Sequence, residues 1–140
     1  MRSPELMRNG FIHINRLEVC RVSVPERWPL AVKFNGDGTA MREFTHVRDV
    51  AQAFRLALEA TTPGQELTYN VATGRGVSVH DVIGVVRSVT GRPVPAEHGP
   101  PRDEPRALVA DSSRISRDLG WNAVESDLET MVRDAWSAIS

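Results

Sequence analysis

The fold of this chain depends on one junction, Met41-Arg42-Glu43-Phe44-Thr45-His46-Val47-Arg48-Asp49-Val50. Residues 40–45 are β-prone and predict a short strand. From residue 47 the apolar side chains recur at helical spacing, which predicts a helix over roughly 46–60. The sequence Thr-Thr-Pro-Gly at 61–64 ends this helix. A strand therefore leads directly into a helix, as in folds that mix the two kinds of element.

Further elements lie on both sides of this junction. Residues 30–34 are apolar and predict a strand, which stops at the strong turn signal Asn35-Gly36-Asp37-Gly38. Residues 67–72 predict another strand. Residues 78–91 predict a helix, because a Ser-x-x-Asp cap begins the segment and a glycine ends it.

The next segment predicts a loop and a short helix. Residues 92–106 hold five prolines and no apolar period, which predicts an irregular loop. A short apolar segment at 108–110 follows the loop. Asp111 or Ser112 is then expected to cap a short helix that stops at Gly120.

The C-terminal residues predict one more helix. Ser126 and Glu129 have the spacing of a full capping box. The apolar stripe behind them consists of Leu128, Met131, Val132, Ala135, Trp136 and Ile139. Because strands and helices interleave along the chain, the predicted class is α/β or α+β.

Composition excludes several classes of partner. The 140 residues suffice for one domain with a modest core, and 17 Lys and Arg balance 18 Asp and Glu. A nucleic-acid or acidic-membrane partner requires a basic excess or stripe, so neither is predicted. Cys20 is the only cysteine, and no membrane-length apolar run or signal peptide is evident. We therefore expect a cytoplasmic protein.

Local chemistry offers one candidate anion site. Arg42 lies beside the glycine turn. Its planar guanidinium could bind a phosphate with two parallel hydrogen bonds, or it could form a surface ion pair. The turn at 35–38 is either a hairpin or strand-end turn or a loop whose backbone approaches a ligand. Arg102 and Arg106 lie in the proline-rich loop, as functional side chains or as solvated charges.

Two other patterns do not predict a catalytic site. Gly74-Arg75-Gly76 is half of a dinucleotide fingerprint, but Val79 stands where a third glycine belongs. We therefore interpret this stretch as a turn that positions the next helix. No metal-ligand spacing occurs among the four histidines, which are His13, His46, His80 and His98. His46 is expected to cap a helix or to pack against one.

Taken in order, the motifs resemble one known family. They are the stretch 42–50, Tyr69-Asn70-Val71 with Gly74 and Gly76, the stretch 109–114, and Leu119-Gly120-Trp121. Over roughly residues 28–138 the chain resembles the C-terminal, substrate-binding part of NAD-dependent nucleotide-sugar epimerases. These UDP-glucose 4-epimerase-like proteins belong to the extended short-chain dehydrogenase/reductase family.

The resemblance implies an α/β fragment of that fold without its N-terminal Rossmann domain. Residues 28–140 would form the epimerase-like substrate-binding domain. Residues 1–27 do not resemble the corresponding part of the family, and we expect an atypical segment, either disordered or a short strand.

The resemblance also implies a substrate site. It assigns Arg42 to the diphosphate of a nucleotide sugar, in the first place a UDP-sugar. It assigns the strand around Phe34 and Asn35 to the nucleotide base, largely through backbone groups. Arg102 stands one position away from the arginine of the family's Arg-x-Gly-Asp loop, whose glycine is absent here. Arg102 is therefore a weaker candidate than Arg42.

Two features of the family are missing from these residues. The family holds NAD with a Gly-x-x-Gly-x-x-Gly turn and takes a proton from the sugar with a Tyr-x-x-x-Lys pair. Here Tyr69 is the only tyrosine and Lys33 is the only lysine. NAD is thus expected in the full-length family and not on this chain alone. Epimerisation at sugar C4, by removal and return of hydride, is not expected from the chain alone either, so its status as an enzyme stays open.

Two alternatives of other classes remain. The chain could be a non-catalytic nucleotide-sugar-binding or protein-interaction module, or it could be a truncated gene product. The interaction module could pair with a partner that supplies the missing domain, whereas the apolar faces left uncovered in a truncated product predict self-association.

Overall fold

The computed structural model describes residues 31–139. The strands are β1 (Val32–Asn35), β2 (Met41–Arg42), β3 (Val77–Ser78), β4 (Ala96–Gly99) and β5 (Ala107–Leu108). The helices are α1 (Val47–Ala60), α2 (Val79–Thr90), α3 (Ser113–Leu119) and α4 (Leu128–Ser137). This order confirms the predicted mixture of strands and helices. The prediction for residues 1–27 lies outside the described residues.

The strands form two small sheets. In the first, β1 and β4 run parallel, with Val32 opposite Ala96 and Asn35 opposite Gly99. In the second, β2 is central and runs antiparallel to β3 and parallel to β5. Because β1 and β2 lie in different sheets, the turn between them is not a hairpin turn. It carries the chain from one sheet to the other.

Helix α1 folds as its sequence predicts. His46 is the N-cap, and its ring Nδ1 accepts a hydrogen bond from the Arg48 backbone N–H at 3.0 Å. This bond assigns the ring proton to Nε2, which lies 3.3 Å from the Asp134 carboxylate. The expected capping role of His46 is confirmed. Ala53 and Ala57 are buried on the inner face of the helix.

The hydrophobic core is a small cluster beneath α1. It contains Ala53, Tyr69, Ile115 and Trp121, of which Ile115 and Trp121 are each only 1% exposed. These residues come from α1, the segment at 67–72, α3 and the stretch after α3. Burial of this apolar surface therefore joins parts of the chain that are distant in sequence.

A buried carboxylate connects α1 to the segment that precedes α4. Asp49 is 1% exposed and accepts hydrogen bonds from the Ser126 hydroxyl at 2.5 Å and from the Glu125 and Val124 backbone N–H groups at 3.0 and 3.2 Å. The indole N–H of Trp121 donates to the Asp49 carbonyl oxygen at 2.9 Å. The charge is thus buried only because several donors converge on it.

The strand predicted at 67–72 is wrong. These residues form no ladder with any described strand, although Tyr69 and Ala72 are buried and Leu67 and Val71 pack against the core. The apolar residues of this segment do contribute to the core. The apolar pattern could not show whether another strand would lie beside the backbone, because pairing depends on distant residues.

The loop predicted at 92–106 is partly wrong, because it contains β4. The four strand residues lie between Pro95 and Pro100. The Pro95 carbonyl accepts a hydrogen bond from the Val32 N–H at 2.8 Å, which extends the pairing with β1. The side chains of Ala96, Glu97 and His98 are exposed, so no apolar period marks the strand. Its parallel pairing with a segment some 60 residues earlier is invisible in the local sequence.

The caps of α2 and α3 agree with the sequence. Ser78 and Asp81 exchange side-chain-to-backbone hydrogen bonds at 3.1 and 3.0 Å, and Gly91 ends α2 in the left-handed conformation. For α3, the Asp111 carboxylate accepts from the Ser113 N–H at 2.8 Å, whereas the N-cap Ser112 uses no side-chain bond. Gly120 ends α3 as predicted.

The final helix is confirmed, but its predicted capping box is wrong. Asp127 is the N-cap of α4, and its carboxylate accepts from the Thr130 N–H at 3.1 Å. The Ser126 hydroxyl is instead engaged by Asp49. A long-range bond to a buried charge has therefore displaced the local one, and the cap moves one residue along.

We predict that Asp49→Ala lowers the free energy of unfolding by roughly 3 kcal/mol or more, because three converging donors lose their buried acceptor. Denaturant titration followed by circular dichroism measures the loss. As a control, Asp103→Asn changes an exposed carboxyl group and should stay within about 0.5 kcal/mol of the wild type. Equal, small effects of the two substitutions would contradict the role given to Asp49.

The cap of α2 predicts a pH effect on stability. Hydrogen bonds from the Ser78 hydroxyl and backbone N–H lower the pKa of Asp81 below its ordinary value of 3.8. Because the pKa of Asp81 is lower in the folded state, the stabilisation is complete above the ordinary, unfolded-state pKa of 3.8. It is lost as the pH falls from there through the folded-state pKa. Melting temperatures should therefore favour the wild type over Asp81→Asn at neutral pH, and the difference should shrink in acid. A difference that is constant down to the acid limit would contradict this.

Candidate functional site

An open cleft of about 550 Å³ lies between the end of β1 and the loop that follows β4. Its walls come from two segments, residues 35–40 and residues 98–106. The lining residues are Asn35, Gly36, Asp37, Thr39, Ala40, His98, Gly99, Pro101, Arg102, Glu104, Pro105 and Arg106. The cleft thus joins the predicted glycine turn to the predicted arginine loop.

The glycine turn forms one wall of the cleft. Gly38 is buried at φ +76°, and a Cβ atom there would lie 2.3 Å from the His80 ring. Only glycine fits both this backbone conformation and this contact. Asp37 accepts hydrogen bonds from the Thr39 hydroxyl and backbone N–H at 2.6 and 3.0 Å, which hold the pKa of Asp37 below its ordinary value. The turn is therefore a strand-end turn whose outer surface also faces the cleft.

Arg42 lies at the edge of this site, and its side chain is partly buried. Its Nη1 donates to the carbonyl oxygens of Met41 and Pro105 at 2.8 and 3.1 Å. Its Nη2 donates to the Glu104 carboxylate at 2.8 Å. Arg42 does not line the cleft itself, but both of its partners in the loop do. Arg42 therefore holds the second wall in place.

Arg102 and Arg106 contribute positive charge to the cleft. Both are exposed, and neither side chain forms an ion pair or hydrogen bond with a residue in the range 31–139. Asp37 and Glu104 also line the cleft, but Thr39 and Arg42 already engage their carboxylates. The two arginines are consequently the groups best placed to meet an anion. In the sequence, only its position in the proline-rich loop marked Arg106 as a candidate site residue.

Phe34 and Asn35 point to opposite faces of β1, as successive strand residues must. Asn35 lines the cleft, whereas the Phe34 ring packs edge-on against His98 and His80, at centroid distances of 4.5 and 5.9 Å. Phe34 also lines a separate pocket of about 230 Å³ with Ile83. Of the two residues, only Asn35 can offer a side chain to a ligand in the cleft.

The half-fingerprint at 74–76 serves packing. Gly76 lies against the side chains of Met41 and Val109, where a Cβ atom would approach to 3.1 and 3.2 Å. The helix that follows has its N-terminus closed by the Ser78 hydroxyl. This stretch therefore turns the chain into α2, as expected.

The only tyrosine and the only lysine of the sequence both have structural contacts. Tyr69 is in the core, and the Arg114 guanidinium lies 5.3 Å from its ring centre. Lys33 is exposed and pairs with Glu97 at 3.1 Å. In residues 31–139 no group of three or more His, Cys, Asp or Glu could hold a metal ion, and no helix could cross a membrane.

Comparison with known proteins identifies the family. The sequence pattern of the NAD dependent epimerase/dehydratase family matches residues 14–72. This match begins at residue 14, inside the segment 1–27 that the sequence analysis set apart. The domain boundary after residue 27 therefore stays a prediction. UDP-glucose 4-epimerase from Corynebacterium glutamicum is 43% identical over 105 residues, which are 74% of this chain and 32% of that protein. The enzyme of the same name from Halalkalibacterium halodurans is 44% identical over 103 residues, 72% of this chain and 31% of that protein.

Solved structures give the same result. UDP-glucose-4-epimerase from Stenotrophomonas maltophila, with bound NAD and formylated UDP-arabinopyranose, superposes with a TM-score of 0.70 at 38% identity. The match covers 76% of this chain and 34% of that one. The chain thus spans about one third of the length of its relatives, and its fold is a segment of the extended short-chain dehydrogenase/reductase fold. It belongs to the NAD-dependent epimerase/dehydratase family, as a segment similar to part of the UDP-glucose 4-epimerases.

Proposed function

We propose that this segment binds a nucleotide diphosphate sugar, in the first place a UDP-sugar, in the cleft between the glycine turn and the arginine loop. The observation that carries the proposal is the pair Arg102 and Arg106, whose side chains form no ion pair or hydrogen bond with residues 31–139 and line a cleft of about 550 Å³. A volume of this size suits a small organic ligand. The related structure that contains a UDP-sugar supports the choice of ligand.

Each predicted site residue has a role in this proposal. Arg42 and Arg102 bind the diphosphate, because a guanidinium group can direct two parallel N–H groups at phosphate oxygens. Asn35 meets the base with its side chain, and Phe34 contributes through the backbone of β1, since its ring lies on the other face. Arg106, which the resemblance did not assign, adds charge beside Arg102.

The proposed role of these residues is binding without chemistry. The only tyrosine is buried in the core, and Val79 stands where the third glycine of a dinucleotide fingerprint belongs. Epimerisation of the bound sugar is accordingly proposed only for a protein that also carries the parts of the family not represented in these 140 residues. The alternatives differ in the binding they predict: a non-catalytic module would bind a nucleotide sugar or a protein partner, whereas a truncated gene product would have no function of its own.

We predict that UDP binds to the chain in a calorimetric titration and that Arg42→Ala and Arg102→Ala each weaken binding by about tenfold or more, because each loses a charged hydrogen bond to phosphate. The control is Arg55→Ala, since Arg55 is exposed on α1 and pairs with Glu59, away from the cleft. Equal affinities of the wild type and both cleft variants would remove these arginines from the site.

We further predict that the purified chain, supplied with NAD and UDP-glucose, forms no UDP-galactose. The reason is that no tyrosine is available to act as a base. Chromatography of the sugar nucleotides measures the product. Conversion above that of a heat-denatured sample would contradict the proposal of binding without catalysis.

A second proposal concerns a partner. The outer face of α1 carries the exposed apolar residues Val47, Phe54 and Leu58, which are 73%, 41% and 72% exposed and fall on one stripe of the helix. We propose that a polypeptide carrying the rest of the family fold covers this stripe. An uncovered apolar stripe favours association between copies, so the chain alone would associate through it.

This proposal predicts that Leu58→Lys reduces self-association measured by sedimentation velocity. The control, Gln52→Lys, places the same charge at another exposed position of α1 and should leave association unchanged. Thermal melting of each variant shows that it is folded. A wild type that stays monomeric as its concentration rises would contradict the proposed stripe, as would equal effects of the two lysines.

A further inference from the structure

The contacts of Arg42 divide its guanidinium into a fixed part and an exchangeable part. The fixed part is Nη1, which is bound to two backbone carbonyl oxygens of Met41 and Pro105. The exchangeable part is Nη2, which is bound to one side chain, that of Glu104. A guanidinium has five N–H donors, so Arg42 has further donors beyond these three bonds.

Glu104 stands where a ligand in the cleft would have to reach Arg42. Glu104 lines the cleft, whereas Arg42 does not. A carboxylate and a phosphate present similar pairs of oxygens to a guanidinium. The Glu104 carboxylate at 2.8 Å from Nη2 therefore holds the position that a phosphate oxygen would take.

We infer that Glu104 competes with the ligand diphosphate for Arg42, so that nucleotide binding exchanges a carboxylate oxygen for a phosphate oxygen at Nη2. This inference rests on the proposed function of the cleft. It makes Glu104 a residue that sets specificity, because only a ligand with anionic phosphates can replace it. A nucleoside without phosphates would leave the ion pair in place.

The backbone around Glu104 permits this exchange without rearrangement of the wall. The Met41 N–H donates to the Arg106 carbonyl at 2.7 Å, and β2 and β5 pair directly after it. Arg42 also binds the Pro105 carbonyl, which directly follows Glu104 in the chain. The loop therefore stays attached to β2 whether or not the Glu104 side chain contacts Arg42. Only the Glu104 side chain has to rotate.

The ion pair is also weak enough to be replaced. The side chains of Arg42 and Glu104 are 29% and 41% exposed. Ion pairs with this access to water are individually weak and are screened by salt. A diphosphate brings more negative charge than one carboxylate and can engage Arg102 and Arg106 as well.

Calorimetry with UDP and with uridine tests the inference on the full chain. Glu104→Gln should bind UDP about fivefold more tightly than the wild type, because the competing charge is gone. Its affinity for uridine should be unchanged. Asp103→Asn is the matched control, since it removes the same charge from the neighbouring residue, which neither lines the cleft nor contacts Arg42. In the Arg42→Ala background, Glu104→Gln should give no gain.

The outcomes separate the inference from the proposed function. If the wild type binds UDP but Glu104→Gln binds it no more tightly, the inference is overturned and the proposed function stands. Equal gains from Glu104→Gln and Asp103→Asn, or a gain that persists without Arg42, show general repulsion and also overturn the inference. No UDP binding by any of these variants overturns both. Melting curves exclude loss of folding as the cause.

Discussion

The buried carboxylate of Asp49 is the constraint on which the arrangement of the described elements depends. It accepts hydrogen bonds from the Ser126 hydroxyl and from two backbone N–H groups more than 70 residues away in the sequence. The Ser126 oxygen in turn accepts the His46 N–H at 2.8 Å. The start of α1 and the approach to α4 are therefore fixed to each other. Asp49 is only 1% exposed, so each hydrogen bond that it lost would leave a buried polar group unsatisfied. Few other positions of the donor groups are therefore compatible with the fold.

This constraint also positions the cleft, because the strand that leads into α1 is short. Arg42 is four residues before His46, so fixing the N-cap of α1 limits where β2 can lie. β2 pairs with β5 in parallel, and the loop before β5 then passes over the Arg42 guanidinium. The wall that carries Arg102 and Arg106 is exposed and has little apolar packing of its own. Backbone hydrogen bonds therefore hold it in position.

The sequence correctly predicted the elements that depend on local apolar spacing and on nearby turn residues. α1, α2 and the glycine ends of α2 and α3 follow from apolar spacing and turn chemistry within a few residues. β4 and the cap of α4 were missed because each depends on a partner far along the chain, β1 in one case and Asp49 in the other. In the candidate site, Arg42 and Arg102 were singled out from their positions in the sequence and from the family resemblance. The pairing of Arg42 with Glu104 was not, since the two lie 62 positions apart.

The contacts of Arg42 unite the two interpretations that the sequence left open for it, a phosphate-binding fork and a surface ion pair. Two carbonyl oxygens hold one end of the guanidinium, and these neutral acceptors keep it in place without cancelling its charge. One carboxylate balances that charge from the cleft side. An arginine that is fixed by the backbone and balanced by one side chain keeps its orientation when the balancing group is replaced. Such preorganisation lowers the cost of ordering that a flexible side chain would add to binding. Under the proposed exchange, the ion pair in the structure and a phosphate contact are two occupancies of one site, and the first prepares the geometry for the second.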